Sequence, residues 1–140
     1  MDQPKYPLDT WESVGETIST KYFLDDKDIL IVIPDQGSID DEVTALENVN
    51  FIIDFSEKIG SSVGTVIYLT NLRSQDTKAR KIYSKMDSNH NYATGLVVTN
   101  LLSRAIGSFF IGLSKPPLPS KLFSNYEDAI EWIKTQRPKN

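Results

Sequence analysis

The chain has 140 residues, a formal net charge of -4 and no cysteine. A chain of this length is expected to fold as a single domain over residues 1–140, and the lack of cysteine excludes disulfides, thiol chemistry and cysteine-ligated zinc. Acidic and basic residues alternate along the sequence, and without a basic stripe nucleic acid is not expected as a partner.

Neither a signal sequence nor a membrane span is predicted. The amino terminus, MDQPKYPLDT, has no basic start followed by an apolar core. No uncharged apolar run approaches the ~20 residues that a spanning helix needs. We therefore expect a protein of the cytoplasm without an integral membrane segment.

Residues 1–18 are predicted to form an extended lead-in, because they contain Pro4 and Pro7 and few periodic apolar positions. Two apolar runs follow, Lys21–Leu24 and Ile29–Ile33, and the sequence DDKD separates them. Aspartates between β-rich runs favour a tight turn. The two runs are therefore predicted to pair as an antiparallel β-hairpin.

Helices and strands alternate after the hairpin. The sequence SIDDEVTALENVNFIIDFSEKIG has apolar residues at helical spacing between acidic residues and a glycine, which predicts a helix of about five turns. Strands are predicted at Thr65–Asn71 and Tyr92–Asn100, and between them SQDTKARKIYSKMD is predicted to be a helix with Ser74 as its N-cap. A helix over Leu101–Leu113, a short strand SKLFS and a final helix NYEDAIEWIKTQ follow.

The predicted order of elements is therefore β-β-α-β-α-β-α-β-α. Strands that alternate with helices form mostly parallel sheets, and the hairpin adds an antiparallel pair. The sequence thus predicts an α/β fold with a mixed sheet and with helices mainly on one face.

The Leu101–Leu113 helix carries more apolar residues than contact with a sheet requires. One stripe is predicted to pack against the sheet: Leu102, Ala105, Ile106, Phe109 and Leu113. For the remaining residues three alternatives are open: burial by neighbouring elements, a partner or dimer surface, and a membrane surface. Interfacial helices usually carry several Lys and Arg residues, whereas this one has Arg104 alone. The candidate partner surface consists of Leu101, Arg104, Phe110 and Ile111.

Two segments, LVVTNLLSRAIGSFF and KPPLPSKLFSNYEDAIEWI, resemble a group of small, largely uncharacterised bacterial proteins with a SpoIIAA-like fold. That fold is related to the STAS superfamily of sulfate transporters and anti-sigma factor antagonists. The resemblance extends from Ser19 to about Gln136, and it implies a SpoIIAA/STAS-like fold for the chain.

The resemblance also implies a phosphorylation switch. STAS-type antagonists of anti-sigma factors are phosphorylated on a Ser or Thr at the start of the helix after the third strand, which makes Ser74 and Thr77 the candidates here. A phosphate at a helix amino terminus is stabilised by free amides and by the helix dipole. The DSSG-like sequence of those proteins is absent, and Ser74 is also explained as an ordinary N-cap.

No catalytic, metal or cofactor site is predicted. His90 has Asp87 nearby but no identifiable nucleophile, and a position in a solvent-exposed loop accounts for it. Asp25, Asp26 and Asp28 lack the spacing of a Ca²⁺ loop and are expected to form a turn. The sequence KPPLP is expected to be a rigid connector rather than a recognition peptide.

The sequence as a whole predicts a non-enzymatic binding or regulatory module of the cytoplasm. It is expected to act through protein–protein contact, either with another protein or as a homodimer. The alternative is a carrier of a small apolar ligand or lipid, held in a pocket that the Leu101–Leu113 helix lines.

Overall fold

The structure is a computed structural model that describes residues 6–114 and 117–139, apart from the side chains of residues 113 and 114. Three predicted features therefore lie wholly or partly outside the described residues. They are the first five residues of the lead-in, the contact of Leu113 with the sheet, and Lys115 and Pro116 of the connector.

The described residues form eight strands in two sheets. The strands are β1 Glu12–Glu16, β2 Thr20–Asp25, β3 Ile29–Pro34, β4 Ser38–Asp40, β5 Val63–Tyr68, β6 Leu72–Gln75, β7 Asn91–Val97 and β8 Ser120–Phe123. The larger sheet has the order β1-β2-β3-β5-β7-β8. In it β1, β2 and β3 pair antiparallel, and the other neighbours pair in parallel. The smaller sheet is a parallel pair of β4 and β6.

Four α-helices connect or follow these strands in the described residues. They are α1 Glu42–Ile59, α2 Thr77–Tyr83, α3 Leu101–Ser114 and α4 Tyr126–Thr135, and a short 3-10 helix spans Leu69–Asn71. α1 begins where the Asp41 carboxylate accepts a hydrogen bond from the Thr44 amide, at 3.0 Å. It ends at Gly60, whose φ of 76° suits a residue without a side chain.

The helices cover the two faces of the larger sheet unequally. α4 packs on one face together with the segment that contains Trp11, and its buried residues are Tyr126, Ala129, Ile130 and Ile133. α1, α2 and α3 lie on the opposite face, where Ile52, Met86 and Phe110 contribute to two further apolar clusters. Both β3 and β7 are buried along their whole length, as expected for strands that helices cover on both faces.

The predicted mixed sheet, its antiparallel hairpin and the alternation of strands and helices are confirmed. Two features of the sheets were not predicted: β1 within the lead-in, and the pairing of β4 with β6. The prediction of Ser74 as the N-cap of α2 is wrong. Asp76 has that role, because its carboxylate accepts a hydrogen bond from the Ala79 amide at 2.8 Å, and Ser74 lies in β6.

Candidate interaction surface

The helix α3 packs on the sheet through small residues as well as large ones. Ser103, Ile106, Gly107 and Phe110 are buried. The close approach depends on Gly107, since a Cβ atom there would lie 2.6 Å from Cδ2 of Leu122 in β8. The inner face of α3 therefore carries Ser103 and Gly107 together with Ile106 of the predicted stripe. The prediction that Leu102, Ala105 and Phe109 pack against the sheet is wrong, because all three are exposed.

A row of apolar residues remains on the solvent side of α3. We call it the α3 stripe: Leu101, Leu102, Ala105 and Phe109. Leu101 is 89% exposed, Leu102 50% and Phe109 52%. Apolar side chains that adjoin one another on a surface are typical of binding sites for other molecules.

The four residues of the predicted partner surface differ in their exposure. Leu101 and Arg104 are exposed, as expected. The expected exposure of Phe110 is wrong, because it is 8% exposed and its ring lies edge-on to Tyr83 of α2 with centroids 6.1 Å apart. Ile111 is half-buried and packs against the same apolar cluster as Phe110. The difference arises because Gly107 lets α3 approach with its Phe110 side inward.

Positive charge borders the α3 stripe. The guanidinium carbon of Arg80 in α2 lies 6.0 Å from the centre of the Phe109 ring. Arg104 is exposed on the opposite flank of the stripe, as helical geometry requires. The apolar row thus lies between two guanidinium groups.

The sequence around this surface is basic although the whole chain is acidic. Residues 70 to 115 include these basic residues: Arg73, Lys78, Arg80, Lys81, Lys85, Arg104 and Lys115. The acidic residues of the same stretch are Asp76 and Asp87. Basic residues are therefore more concentrated here than a uniform alternation of charges along the chain suggests.

The two candidate phosphorylation residues have different surroundings. Thr77 is the first residue of α2 and is exposed, and its hydroxyl accepts a hydrogen bond from Nη2 of Arg80 at 3.1 Å. Ser74 is also exposed but lies in β6, before the cap residue Asp76. Only Thr77 of the two is bonded to the guanidinium that contacts the α3 stripe.

A cavity with a buried carboxylate lies between the larger sheet and the layer of α1, α2 and α3. Its volume is about 60 Å³, and its lining includes Asp40, Asn48, Tyr83, Met86 and Phe110. Apolar cavities known to accept a molecule as small as benzene have a volume of ~150 Å³. The cavity in this conformation is therefore too small for a lipid.

Asp40 is the centre of a hydrogen-bond network at one end of this cavity. Its carboxylate accepts hydrogen bonds from Oγ1 of Thr44 at 2.8 Å, from the Tyr83 hydroxyl at 3.0 Å and from Nε2 of Gln75 at 2.9 Å. Asn48 of α1 extends the network, since its Nδ2 donates to the Tyr83 hydroxyl at 2.9 Å. Burial raises the pKa of Asp40, and it also raises the pKa of Tyr83. The network ties β4, α1, β6 and α2 together directly beneath the basic surface.

The domain family DUF7793, described as a domain of unknown function, matches residues 22–137. The chain belongs to this family. No match was found among curated proteins. None of the described helices is both long enough and apolar enough to cross a membrane.

Three solved structures show that this DUF7793 chain has a SpoIIAA-like fold, as the resemblance implied. An uncharacterised protein of the DUF3478 family from Shewanella loihica, described as having that fold, is 12% identical with a TM-score of 0.57, over 86% of this chain and 98% of its own. An anti-sigma factor antagonist from Mycobacterium paratuberculosis is 22% identical with a TM-score of 0.57, over 87% and 98% of the two chains. The antagonist SpoIIAA in its unphosphorylated form is 12% identical with a TM-score of 0.53, over 83% and 98%.

The other titratable groups named from the sequence are engaged in local contacts. Nδ1 of His90 lies 2.9 Å from the Asp87 carboxylate and Nε2 lies 3.4 Å from Glu57, and the Asp87 hydrogen bond raises the pKa of His90. Asp26 and Asp28 in the β2–β3 turn each lie 2.7 Å from Nη2 of Arg137. Among the described residues, His, Asp and Glu side chains form no group of three suited to a metal ion.

We expect the substitution Asp40→Asn to stabilise the fold at pH 7. Burial raises the pKa of Asp40 in the folded state above its ordinary value of 3.8, so the fold favours the protonated carboxyl group. This contribution to the free energy of unfolding is complete below pH 3.8 and is lost as the pH rises through the raised pKa. The asparagine side chain at position 40 removes the buried charge. Oε1 of Gln75 is buried and has no hydrogen-bond partner among the described residues, and it can accept a hydrogen bond from the new asparagine after the Gln75 amide flips.

Urea unfolding from pH 4 to pH 7 measures this effect. The free energy of unfolding of the variant should exceed that of the parent at pH 7, and the difference should shrink towards pH 4. Asp54→Asn, on the exposed side of α1, is the matched control for the loss of one carboxylate. A variant that is less stable than the parent at pH 7 would mean that the three hydrogen bonds to the carboxylate outweigh its desolvation.

Proposed function

We propose that this chain acts as a single, non-enzymatic regulatory domain of the cytoplasm that binds a protein partner through the α3 stripe and the basic residues beside it. The observation that carries the proposal is the row of exposed apolar side chains between Arg80 and Arg104. Apolar contact area supplies affinity in protein interfaces, and charges at the rim select the partner and speed its association. The partner is a different protein or a second copy of the chain.

The fold supports a regulatory role. Two of the three similar structures are described as anti-sigma factor antagonists. At their low identity to this chain, these structures support the fold alone. Regulation by protein–protein contact is therefore a proposal for this member of the family. The shape and charge of the α3 surface support it independently of those names.

The alternative, a carrier of an apolar ligand, is less well supported by the geometry. The cavity of about 60 Å³ contains the charged network of Asp40 and would have to enlarge by displacement of α3 before it could hold an alkyl chain. Native mass spectrometry of protein purified without detergent separates the two functions. A bound mass of lipid size would favour the carrier.

The proposed partner contact is tested by a photo-crosslinking amino acid at position 109. Benzoylphenylalanine in place of Phe109 should link to a specific protein in an extract of the native cells, because this side chain is half exposed on the stripe. The same amino acid in place of Ile18, which is exposed between β1 and β2, is the control. The proposal fails if both positions give the same set of crosslinked products or if position 109 gives none.

We further propose that phosphorylation regulates this contact, with Thr77 as a better candidate than Ser74. A phosphate on Thr77 would pair with the Arg80 guanidinium, which already donates to the Thr77 hydroxyl and lies against Phe109. That pairing would neutralise positive charge at one border of the α3 stripe.

The variant Thr77→Glu should therefore reduce the yield of the crosslinked product from position 109. Ser74→Glu adds the same charge to β6 and is the matched control, with little expected effect. Quantitative mass spectrometry of the crosslinked product measures both variants. Equal losses in the two variants would show that added charge alone, rather than the pairing with Arg80, weakens the contact.

A further inference from the structure

The exposed large apolar side chains of the described residues are concentrated on two helices. They are Ile18, Ile39, Val43, Leu46, Ile59, Leu101, Leu102 and Phe109. The last three belong to the α3 stripe. Val43 and Leu46 form a second exposed row on α1, which we call the α1 stripe, and they are 64% and 47% exposed. Two separate apolar rows therefore face solvent on the same helical layer.

The α1 stripe lies on the solvent side of the helix. The buried residues of α1 are Ala45, Asn48, Ile52 and Ser56, and helical geometry places Val43 opposite them and Leu46 at the edge of the exposed side. Glu42 is exposed on one flank of the stripe. Glu47, on the other flank, is half-buried, and its Oε1 atom is buried without a hydrogen-bond partner among the described residues. The α1 stripe thus has an apolar centre and a negative border.

The α3 stripe also has an apolar centre, but its border is positively charged. Its apolar residues lie between the guanidinium groups of Arg80 and Arg104. Both stripes lie on the face of the larger sheet that α1, α2 and α3 cover, and so both are directed to the same side of the molecule. One chain therefore exposes both halves of a complementary pair.

We propose that the α1 stripe of one copy binds the α3 stripe of a second copy. This inference deepens the proposed function and rests on it, because the same α3 surface is the binding site. Leu46 and Val43 would cover Leu101, Leu102 and Phe109, and the exposed carboxylate of Glu42 would meet the guanidinium groups beside the α3 stripe. In a two-fold dimer each copy offers both stripes, so that the contact is made twice.

Charge complementarity favours a second copy over other occupants of the α3 stripe. A nucleic acid or an anionic membrane would match the basic border, but it would leave the apolar α1 stripe uncovered and would repel its acidic border. A second copy covers both stripes at once and pairs charges of opposite sign. The contact should weaken as ionic strength rises, because its border charges lie at the edge of the interface.

Complementary variants test the contact. Leu46→Lys places a positive charge on the α1 stripe, which would repel the basic border of the α3 stripe. Phe109→Glu places a negative charge on the α3 stripe, which would repel the acidic border of the α1 stripe. In sedimentation velocity the parent chain should form a dimer, and each variant alone should dissociate at least about tenfold more readily. An equimolar mixture should restore a dimer with one copy of each variant. One native pair of stripes survives in that dimer, and in the other pair the introduced lysine meets the introduced glutamate.

Matched controls make the same chemical changes elsewhere. Ile59→Lys at the end of α1 and Ile18→Glu between β1 and β2 replace exposed apolar residues outside both stripes, and neither should change the association. Circular dichroism melting checks that each variant is folded. If Leu46→Lys or Phe109→Glu does not melt cooperatively, Val43→Lys or Leu101→Glu replaces it, since both positions are more exposed.

Three results would overturn the inference. They are a parent chain that stays monomeric up to submillimolar concentration, a dimer that both variants leave intact, and a mixture of variants that remains monomeric. The proposed function fails separately, through the crosslinking at position 109. A monomeric chain that crosslinks to another protein from that position would refute self-association and retain the regulatory partner. A dimer that crosslinks only to itself would support self-association and leave that chain without a different protein partner at this surface.

Discussion

Replacing Phe110 by alanine is expected to lower the free energy of unfolding by about 3 kcal/mol. The Phe110 ring is buried between α3 and the sheet, in a cluster with Leu69, Leu96 and Ile106, and it contacts Tyr83 edge-on. Its removal would enlarge a cavity that already lies beside it, so the lost contacts would not be regained by relaxation. Urea unfolding measures the loss.

The neighbouring substitution Phe109→Ala is the matched control for Phe110→Ala. Phe109 is half exposed, and its described cation–π contact is with Arg80, so this variant should lose less than about 1 kcal/mol. Its effect should fall on partner binding instead. The assignment of the two faces of α3 would be wrong if Phe109→Ala proved the more destabilising of the two substitutions.

The second large effect is expected at Gly64 in β5. Alanine at this position should lower the free energy of unfolding by about 3 kcal/mol, the upper part of the range for an overpacked core. A Cβ atom there would lie 2.3 Å from Cγ2 of Ile133 in α4 and 2.9 Å from the Tyr92 hydroxyl. Either α4 must move away from the sheet or the side chains must leave their favoured rotamers.

Gly112→Ala in α3 is the control for Gly64→Ala. A Cβ atom at Gly112 would meet no atom of the described residues within 4 Å, and alanine is favoured over glycine in a helix by about 1 kcal/mol. This variant should therefore be more stable than the parent in the same urea experiment. If Gly64→Ala were also stabilising, α4 would not be packed as closely on β5 as described.

The architecture could be predicted from the sequence because the sequence patterns that indicate it are local and repeated. The hairpin follows from two β-rich runs around DDKD, and the parallel strands follow from apolar runs that alternate with amphipathic helices. The end of α1 at Gly60 also follows from the local sequence. Signals of this kind need no knowledge of which distant residues meet.

The orientation of α3 could not be predicted from the same signals. Its apolar residues occupy more than half of the helix circumference, so periodicity alone cannot choose which of Phe109 and Phe110 faces the sheet. The choice depends on where the backbone can approach Leu122, and Gly107 provides that place. The presence of glycine within an otherwise apolar helix is the sequence signal that could have identified the inner face.

The buried network and the small sheet depend on contacts between distant parts of the chain. Asp40 looks like one more acidic residue before a helix, and nothing near it in the sequence indicates Tyr83 or Gln75 as partners. β4 and β6 are three and four residues long and have no alternating apolar pattern. The N-cap Asp76 follows Ser74 by two residues, and either side chain is suited to capping a helix.

The positions of the two tryptophans determine what optical spectroscopy can detect in this protein. Trp11 and Trp132 both lie on the face covered by α4, where Trp11 packs against Phe23 and Trp132 lies near Phe123. Their intrinsic fluorescence should therefore report the unfolding of that face. It should not change when a molecule binds to the opposite face of the sheet. A titration followed by native emission would miss a complex at α3, whereas a tryptophan introduced at position 109 would reveal it.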